Sequence, residues 1–395
     1  MNDHFIGSGF MVEFDEFGPE KILEVYDART GMRGFTVIDN TARGPGKGGI
    51  RMTPTVSVDE VAKMARTMTW KCALADLPFG GGKSGIVADD RTLMKKKKME
   101  IMRAFSRAIM PICPLQYIAA PDMNTGEDEM AEFAKANGDM KSATGKPSTM
   151  CIRPGVGCGI PHEFGSTGYG VFHATKVAME HLKMPVKGAK VAIEGFGNVG
   201  TFAMRYLTEA GAKVVAVSDS KGAAYHVGGM DYQKLMDVKG KQGSVTKYPG
   251  AKVLDREALF ELPVDVLIPA AVPNSINEKN FRKIKARIVS EAANIPMTTE
   301  IEEKLHELGI LVVPDFVANA GGVISSYAEY VGKHPGQMLK LVEEKITKNT
   351  RIILDRAKAS KQSPRAAAME IAVKRVREAM AKRLSVKVRR SSGML

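Results

Sequence analysis

Lys190-Val191-Ala192-Ile193-Glu194-Gly195-Phe196-Gly197-Asn198-Val199-Gly200 is the stretch that decides the fold of this chain. Its first five residues are a short apolar run of strand type. From Asn198 the spacing turns helical, to about Ala210. Between them lies Gly-x-Gly-x-x-Gly, a weak pattern alone and a strong one between a strand and a helix. Gly195 permits the tight turn, Gly197 lets the backbone approach a pyrophosphate, and Gly200 lets the helix pack on the sheet. Free N–H groups at the helix start, with Asn198 and Val199 in the loop, suit an anion. The next strand, Lys213–Ser218, leads to Asp219, about 20 residues beyond the motif, where the ribose-reading acid of such folds stands. Asp219 favours a free 2′-hydroxyl and hence NAD. Lys221 can neutralise a 2′-phosphate and hence favours NADP. The sequence leaves the two open.

Outward from this motif the rhythm is βα. A helix at about Tyr169–Leu182 precedes it. Strands at Val264–Ile268, Arg287–Ser290 and Leu311–Val313 follow, separated by helical segments. Alternation of this kind predicts a parallel, doubly wound sheet. The last 60 or so residues lack strand signals and read as helices at Gly336–Ser360 and Pro364–Lys382, with a loose tail after Leu384. Upstream, Phe35–Asp39 and Gly85–Val87 read as strands. Ser57-Val58-Asp59-Glu60 is a capping box opening a helix to about Ala75, and further helices lie at 92–110 and Glu127–Ala136. The Gly-, Pro- and Ser-rich stretch Thr144–Gly165 marks a crossing. The expected architecture is therefore α/β with two domains. Residues 1–165 form the first, completed by C-terminal helices at about 345–395, and 166–344 form a Rossmann-type dinucleotide-binding domain.

Composition narrows the class. The 395 residues are 44% hydrophobic and 26% charged, an ordinary globular balance. No apolar run approaches the roughly 20 residues of a membrane span. The start, MNDHFIGSGF, has no basic region before an apolar core and does not read as a secretory signal. The four cysteines show no CxxC pairing, so a disulfide framework, structural zinc or any other metal site is not expected, and a reduced cytoplasm fits. The net charge is +13, but the basic residues are dispersed. Lys95–Lys98 reads as a solvated helix face. The other dense patch, Lys382–Arg390, has no interleaved aromatics, so nucleic acid is not an expected partner.

The chemistry concentrates in the first domain. Leu77-Pro78-Phe79-Gly80-Gly81-Gly82-Lys83-Ser84-Gly85 strips the side chains from around one lysine. A lysine planted there can lose water, which lowers its pKa toward neutrality and suits it to proton transfer. Lys47 in GPGKGGIR sits in a second glycine-rich segment. Both are expected in turns. Lys71 in MTWK ends its helix, where a cation suits the dipole. Asp122, in AAPDMNT, follows a strand-like run.

Taken together GPGKGGIR, MTWK, LPFGGGKSG, AAPDMNT, GFGNVG and DFVANAGGV, in this order within about residues 25 to 385, resemble the glutamate/leucine/phenylalanine/valine dehydrogenases. The resemblance implies oxidative deamination of an L-amino acid to a 2-oxo acid and ammonium with NAD or NADP. It also implies two domains with the site in the cleft, and a homo-oligomer, most often a hexamer. By motif, Lys83 is similar to the catalytic lysine, Asp122 to the proton shuttle, and Lys71 to the lysine binding the α-carboxylate. Thr167 and Asn198 resemble cofactor contacts, with Asn294 and Asn319 on the nicotinamide side. Lys47 and Ser326 resemble the pair that holds a γ-carboxylate. This favours L-glutamate and 2-oxoglutarate, since a buried ammonium facing an apolar side chain is costly. The alternatives are a leucine or valine dehydrogenase and a catalytically idle regulatory subunit. Ile295, Met68 and residues 151–166 depart from the family pattern.

Overall fold

The structure, a computed structural model, describes residues 12–391. The MNDHFIGSGF segment lies outside the described residues. The chain packs as two compact units. The first takes the chain up to Pro161, Ser326–Pro335 and the chain from Ala372. The second takes His162–Ser325 and Gly336–Ile371. Where about 345–395 was expected with the first domain, 345–371 groups with the second, and Ser326–Pro335, expected in the second, groups with the first.

In the first unit β1 (Lys21–Asp27), β2 (Met32–Asn40), β3 (Gly46–Thr53), β4 (Gly80–Val87) and β5 (Tyr117–Pro121) form one sheet in the order β1-β2-β4-β3-β5. β3 runs parallel to both β4 and β5, while β2 is antiparallel to β1 and β4. Successive strand residues face opposite sides. Val37 joins Val61 and Ala65 of α1 (Val58–Leu74) on one face. Ile38 joins Phe105 of α2 (Lys95–Ala108) and Phe133 of α3 (Glu127–Asn137) on the other. Ser57 caps α1 by accepting from the Glu60 N–H at 3.2 Å.

The glycine-rich segments are strands and not the expected turns. A Cβ on Gly81 would lie 2.1 Å from Thr69 Oγ1 and 2.4 Å from the Ala65 carbonyl oxygen, so its absence lets the α1 backbone press onto β4. A Cβ on Gly48 would lie 1.7 Å from the Gly82 oxygen. Glycine serves here for close approach and not for chain reversal.

A second correction concerns the cysteines. β6 (Cys151–Arg153) and β7 (Val156–Cys158) form a hairpin with Cys151 opposite Cys158, and the two are joined in a disulfide. Their sequence spacing is no motif, and only the hairpin brings them together. Cys72 and Cys113 are buried free thiols.

The second unit contains α4 (Ser166–His181), β8 (Lys190–Glu194), α5 (Asn198–Glu209), β9 (Lys213–Asp219), β10 (Gly222–Tyr225), α6 (Tyr232–Gln242) and β11 (Lys252–Leu254). β12 (Val266–Pro269), β13 (Ile288–Ser290), α7 (Thr299–Glu307), β14 (Leu311–Val313) and α8 (Asp315–Ala318) follow. The sheet order is β11-β10-β9-β8-β12-β13-β14. Its five strands from β9 to β14 are mutually parallel, as expected. β10 and β11 were not foreseen and are antiparallel. The chain reverses immediately after β9, with Asp219 paired to Gly222 and Ser220-Lys221 at the turn, and Gly222 takes φ +136°.

Three helices remain: α9 (Gly321–Tyr330), α10 (Pro335–Ser360) and α11 (Pro364–Ser391). The tail expected to be loose after Leu384 continues α11 to Ser391. Among the described residues no helix is long and apolar enough to cross a membrane.

Candidate active site

Lys83 lies within β4, opposite Val37 of β2. Asp122 follows the last residue of β5, two strands away. Lys83 Nζ and Asp122 Oδ2 meet in an ion pair at 2.5 Å. Arg51 Nε stands 3.5 Å from the same oxygen, while Arg51 Nη1 pairs with Glu60 at 2.6 Å. Three details fix the aspartate. A Cβ on Gly49 would lie 2.7 Å from that of Asp122, so this glycine makes room for it. The Asp122 N–H donates to Thr125 Oγ1, whose hydroxyl donates to the Ile50 carbonyl at 2.7 Å. Asn124, at φ +61°, donates from Nδ2 to the Met52 carbonyl. Burial pushes the Asp122 pKa up, but Lys83 and then Arg51 outweigh it and hold the carboxyl below its ordinary value. A base kept ionised beside an amine, with Lys83 only 8% exposed, is the equipment of proton transfer at an amino or carbonyl carbon.

Lys47 is 1% exposed within β3. Its ammonium donates to the Ala119 carbonyl at 2.6 Å and the Ile118 carbonyl at 3.3 Å, and no third acceptor stands among the described residues. Burial brings its pKa down to about 7, with Glu329 pulling the other way. Lys71 stands in the last turn of α1, half-buried. The Ser326 and Thr144 hydroxyls lie 3.1 Å apart. One turn on, buried Glu329 accepts from the Gly145 and Ile160 N–H groups at 2.7 and 2.8 Å and pairs with Lys146 at 2.5 Å. Arg51, Lys146 and Glu329 were missed from sequence. Arg51 was in view at the end of GPGKGGIR, and only the fold puts it beside Asp122.

The second unit holds the other candidates. Gly195 takes φ +97°, and a Cβ on Gly200 would lie 1.9 Å from the Gly195 oxygen. A Cβ on Gly197 meets nothing within 4 Å, which leaves open space where a pyrophosphate approaches. Asn198 opens α5 and donates from Nδ2 to the His162 carbonyl. Thr167 Oγ1 lies beside Gly322, 3.1 Å from where a Cβ there would be. Asn319 Nδ2 donates to Asn294 Oδ1 at 3.0 Å, while Asn319 Oδ1 is buried without a partner. An orphaned amide oxygen suits the N–H of a carboxamide. The glycine turn and this oxygen together fit a nicotinamide dinucleotide. Ile295 adopts φ +50°, a conformation that favours glycine, so the branched side chain is strained at this position. Its N–H donates to Asp315 Oδ2 at 2.9 Å, and Asp315 is in turn held by Arg365 at 3.0 Å. Asp219, expected to read a ribose, is turned inward and bonded to protein donors, while Lys221 is exposed beside it.

Residues 158–383 match the family described as glutamate/leucine/phenylalanine/valine dehydrogenase, and residues 19–137 match its dimerisation domain. An NADP-specific glutamate dehydrogenase of Saccharolobus shibatae is 37% identical, over 92% of this chain and 89% of its own. An NAD-specific glutamate dehydrogenase of Staphylococcus aureus is 39% identical, over 88% and 85%. A hetero-hexameric glutamate dehydrogenase of Thermus thermophilus, in a leucine-bound crystal form, superposes with a TM-score of 0.81 at 27% identity over 92% and 90%. The glycine turn, the Lys83–Asp122 pair and these matches define an amino-acid dehydrogenase of two-domain α/β fold. The chain belongs to the glutamate/leucine/phenylalanine/valine dehydrogenase family.

Proposed function

We propose that the protein converts L-glutamate reversibly to 2-oxoglutarate and ammonium with NAD or NADP. The observation that carries this reading is the Lys83–Asp122 ion pair at 2.5 Å. Asp122 Oδ2 takes a proton from the substrate ammonium, leaving the amine lone pair free to form a C=N bond. The nicotinamide, when bound, supplies the hydride acceptor. Lys83 Nζ orients the water that adds to the imine carbon and stabilises the oxygen that becomes the 2-oxo group. Asp122 then returns its proton to the carbinolamine nitrogen, and the C–N bond breaks as the added oxygen closes to C=O. The ammonia takes up one of the two protons lost by the water and departs as ammonium, the other passing to solvent. The Gly195–Gly200 turn holds the diphosphate, Thr167, Asn294 and Asn319 hold the nicotinamide side, and Lys71 receives the α-carboxylate.

Lys47 and Ser326 select the acidic side chain. Support comes from the buried ammonium of Lys47, which has two carbonyl acceptors for three N–H donors. A carboxylate completes that set, and a leucine side chain leaves it unmet. We propose a homo-hexamer, on the strength of the family resemblance and the matched dimerisation domain; the Thermus thermophilus relative shows six subunits in a hetero-hexamer.

The test is a panel of glutamate, leucine and valine, each with NAD and with NADP, on wild type and Lys83→Ala. Turnover with glutamate that falls by orders of magnitude in Lys83→Ala, with dinucleotide binding retained, supports the reading. Equal turnover on leucine overturns the substrate. No turnover by wild type on any amino acid points to an idle subunit.

A further inference from the structure

The turn that follows β9 adjoins the glycine loop, since the Gly195 N–H donates to Ser218 Oγ at 3.1 Å. In a fold of this kind the adenosine ribose lies over that strand end. An NAD site needs a free carboxylate there, with an oxygen to spare for the 2′-hydroxyl.

Asp219 has none to spare. Its side chain is 4% exposed. Oδ1 accepts from the Lys221 N–H at 2.9 Å and from Ser244 Oγ at 3.1 Å. Oδ2 accepts from Lys239 Nζ at 2.7 Å and from the Val245 N–H at 2.9 Å. A carboxylate has about four acceptor sites, and all are taken by protein donors. Burial pulls its pKa up, but Lys239 and the two N–H groups prevail and keep it ionised. The negative charge is therefore compensated by Lys239 at hydrogen-bond distance and does not face a ligand.

What does face outward is of the opposite sign. Ser220 and Lys221 occupy the reversal between β9 and β10, and both are exposed. Lys221 Nζ lies over Gly243, 3.4 Å from where a Cβ there would be, at the edge of the loop that carries Ser244. Among the described residues no carboxylate forms an ion pair with Lys221. A hydroxyl and an uncompensated ammonium on one tight turn form a receptor for a phosphate.

We infer that this site prefers a dinucleotide bearing a 2′-phosphate, with Ser220 and Lys221 as its receptor and Asp219 as the strut that shapes the turn. The inference rests on the dinucleotide-binding reading above. The test is calorimetric titration of the intact protein with NADPH and with NADH at fixed salt, in wild type and Lys221→Gln. NADPH is expected to bind about tenfold or more tightly than NADH, the ordinary worth of one charge-assisted contact. Lys221→Gln should remove most of that gap by weakening NADPH alone. 2′,5′-ADP should compete with NADPH in wild type and about tenfold less well in the variant. Equal affinities in wild type, or tighter NADH, overturn the inference. An equal loss of both ligands in Lys221→Gln overturns the role of Lys221, since that pattern belongs to the shared diphosphate or to the fold. If neither dinucleotide binds wild type, the dinucleotide reading fails and this inference fails with it.

Discussion

Lys47→Met isolates what it takes to hold an ammonium inside a sheet. Burial brings the Lys47 pKa from 10.5 to about 7, with Glu329 pulling the other way. A displacement of about 3.5 on the pH scale corresponds to about 5 kcal/mol against folding at low pH. Between pH 7 and 10.5 the unfolded chain carries this proton and the native protein does not. Stability therefore rises with pH, by about 1.4 kcal/mol for each unit. Cys72 and Cys113, pushed by burial from 9.0 up to about 12, act in the opposite direction above pH 9, where the unfolded chain releases thiol protons that the native state keeps. Other buried groups, such as Glu291, contribute equally to both proteins, so between pH 7 and 9 the difference between wild type and variant reports Lys47 alone, about 3 kcal/mol. Methionine is unbranched, one heavy atom shorter, and drops the charge. The variant should be more stable than wild type by a few kcal/mol at about pH 6.5 and should lack that rise. Its kcat/KM for glutamate should fall by a factor corresponding to a few kcal/mol, and the preference over leucine should narrow. Urea unfolding of both proteins across this window, beside kinetics on both substrates, measures each part. Equal pH slopes in the two proteins would refute a buried Lys47 that loses its proton.

Asp122→Asn keeps the shape and removes the base, so kcat should fall by about 10²- to 10⁴-fold with dinucleotide affinity unchanged. Retained turnover anywhere between about pH 6 and 9 counts against the role. Gly81→Ala forces a methyl group within 2.1 Å of Thr69 and 2.4 Å of the Ala65 backbone, and should lower stability by about 3 kcal/mol in thermal unfolding. A change within error would show that α1 can move away from β4. Ile295→Asn replaces a branched residue at φ +50° that is 54% exposed, and should raise stability by about 1 kcal/mol. A lower melting temperature would mean that the isoleucine side chain makes a contact worth more than the strain.

The parts legible from sequence were the local ones. Strand, glycine turn and helix at Lys190–Glu209 follow one another along the chain, so their spacing carries their geometry. The meaning of Gly80–Gly82 was not local. These glycines read as a turn, but what they accommodate is α1 at Ala65 and Thr69, and no short window of sequence relates the two. The Cys151–Cys158 bond escaped for a similar reason, because it depends on a hairpin whose strands are three residues each. Asp219 was correctly placed at the end of β9, but its direction is set by Lys239 and Ser244, which lie on and after α6. Within the site, Lys83 and Asp122 were visible as motif residues. Their meeting is a property of the strand order β4-β3-β5.

Glu329 holds the chain at Gly145 and at Ile160 with a single carboxylate oxygen, and the disulfide closes the same segment again between Cys151 and Cys158. The disulfide restrains its loop in the unfolded chain too, so less conformational freedom is lost there on folding. The stretch at Pro154 and Gly155, beyond both closures, is therefore released from any duty to stabilise the protein. Lengthening that tip should be tolerated where the same insertion at Lys146, buried against Glu329, would not.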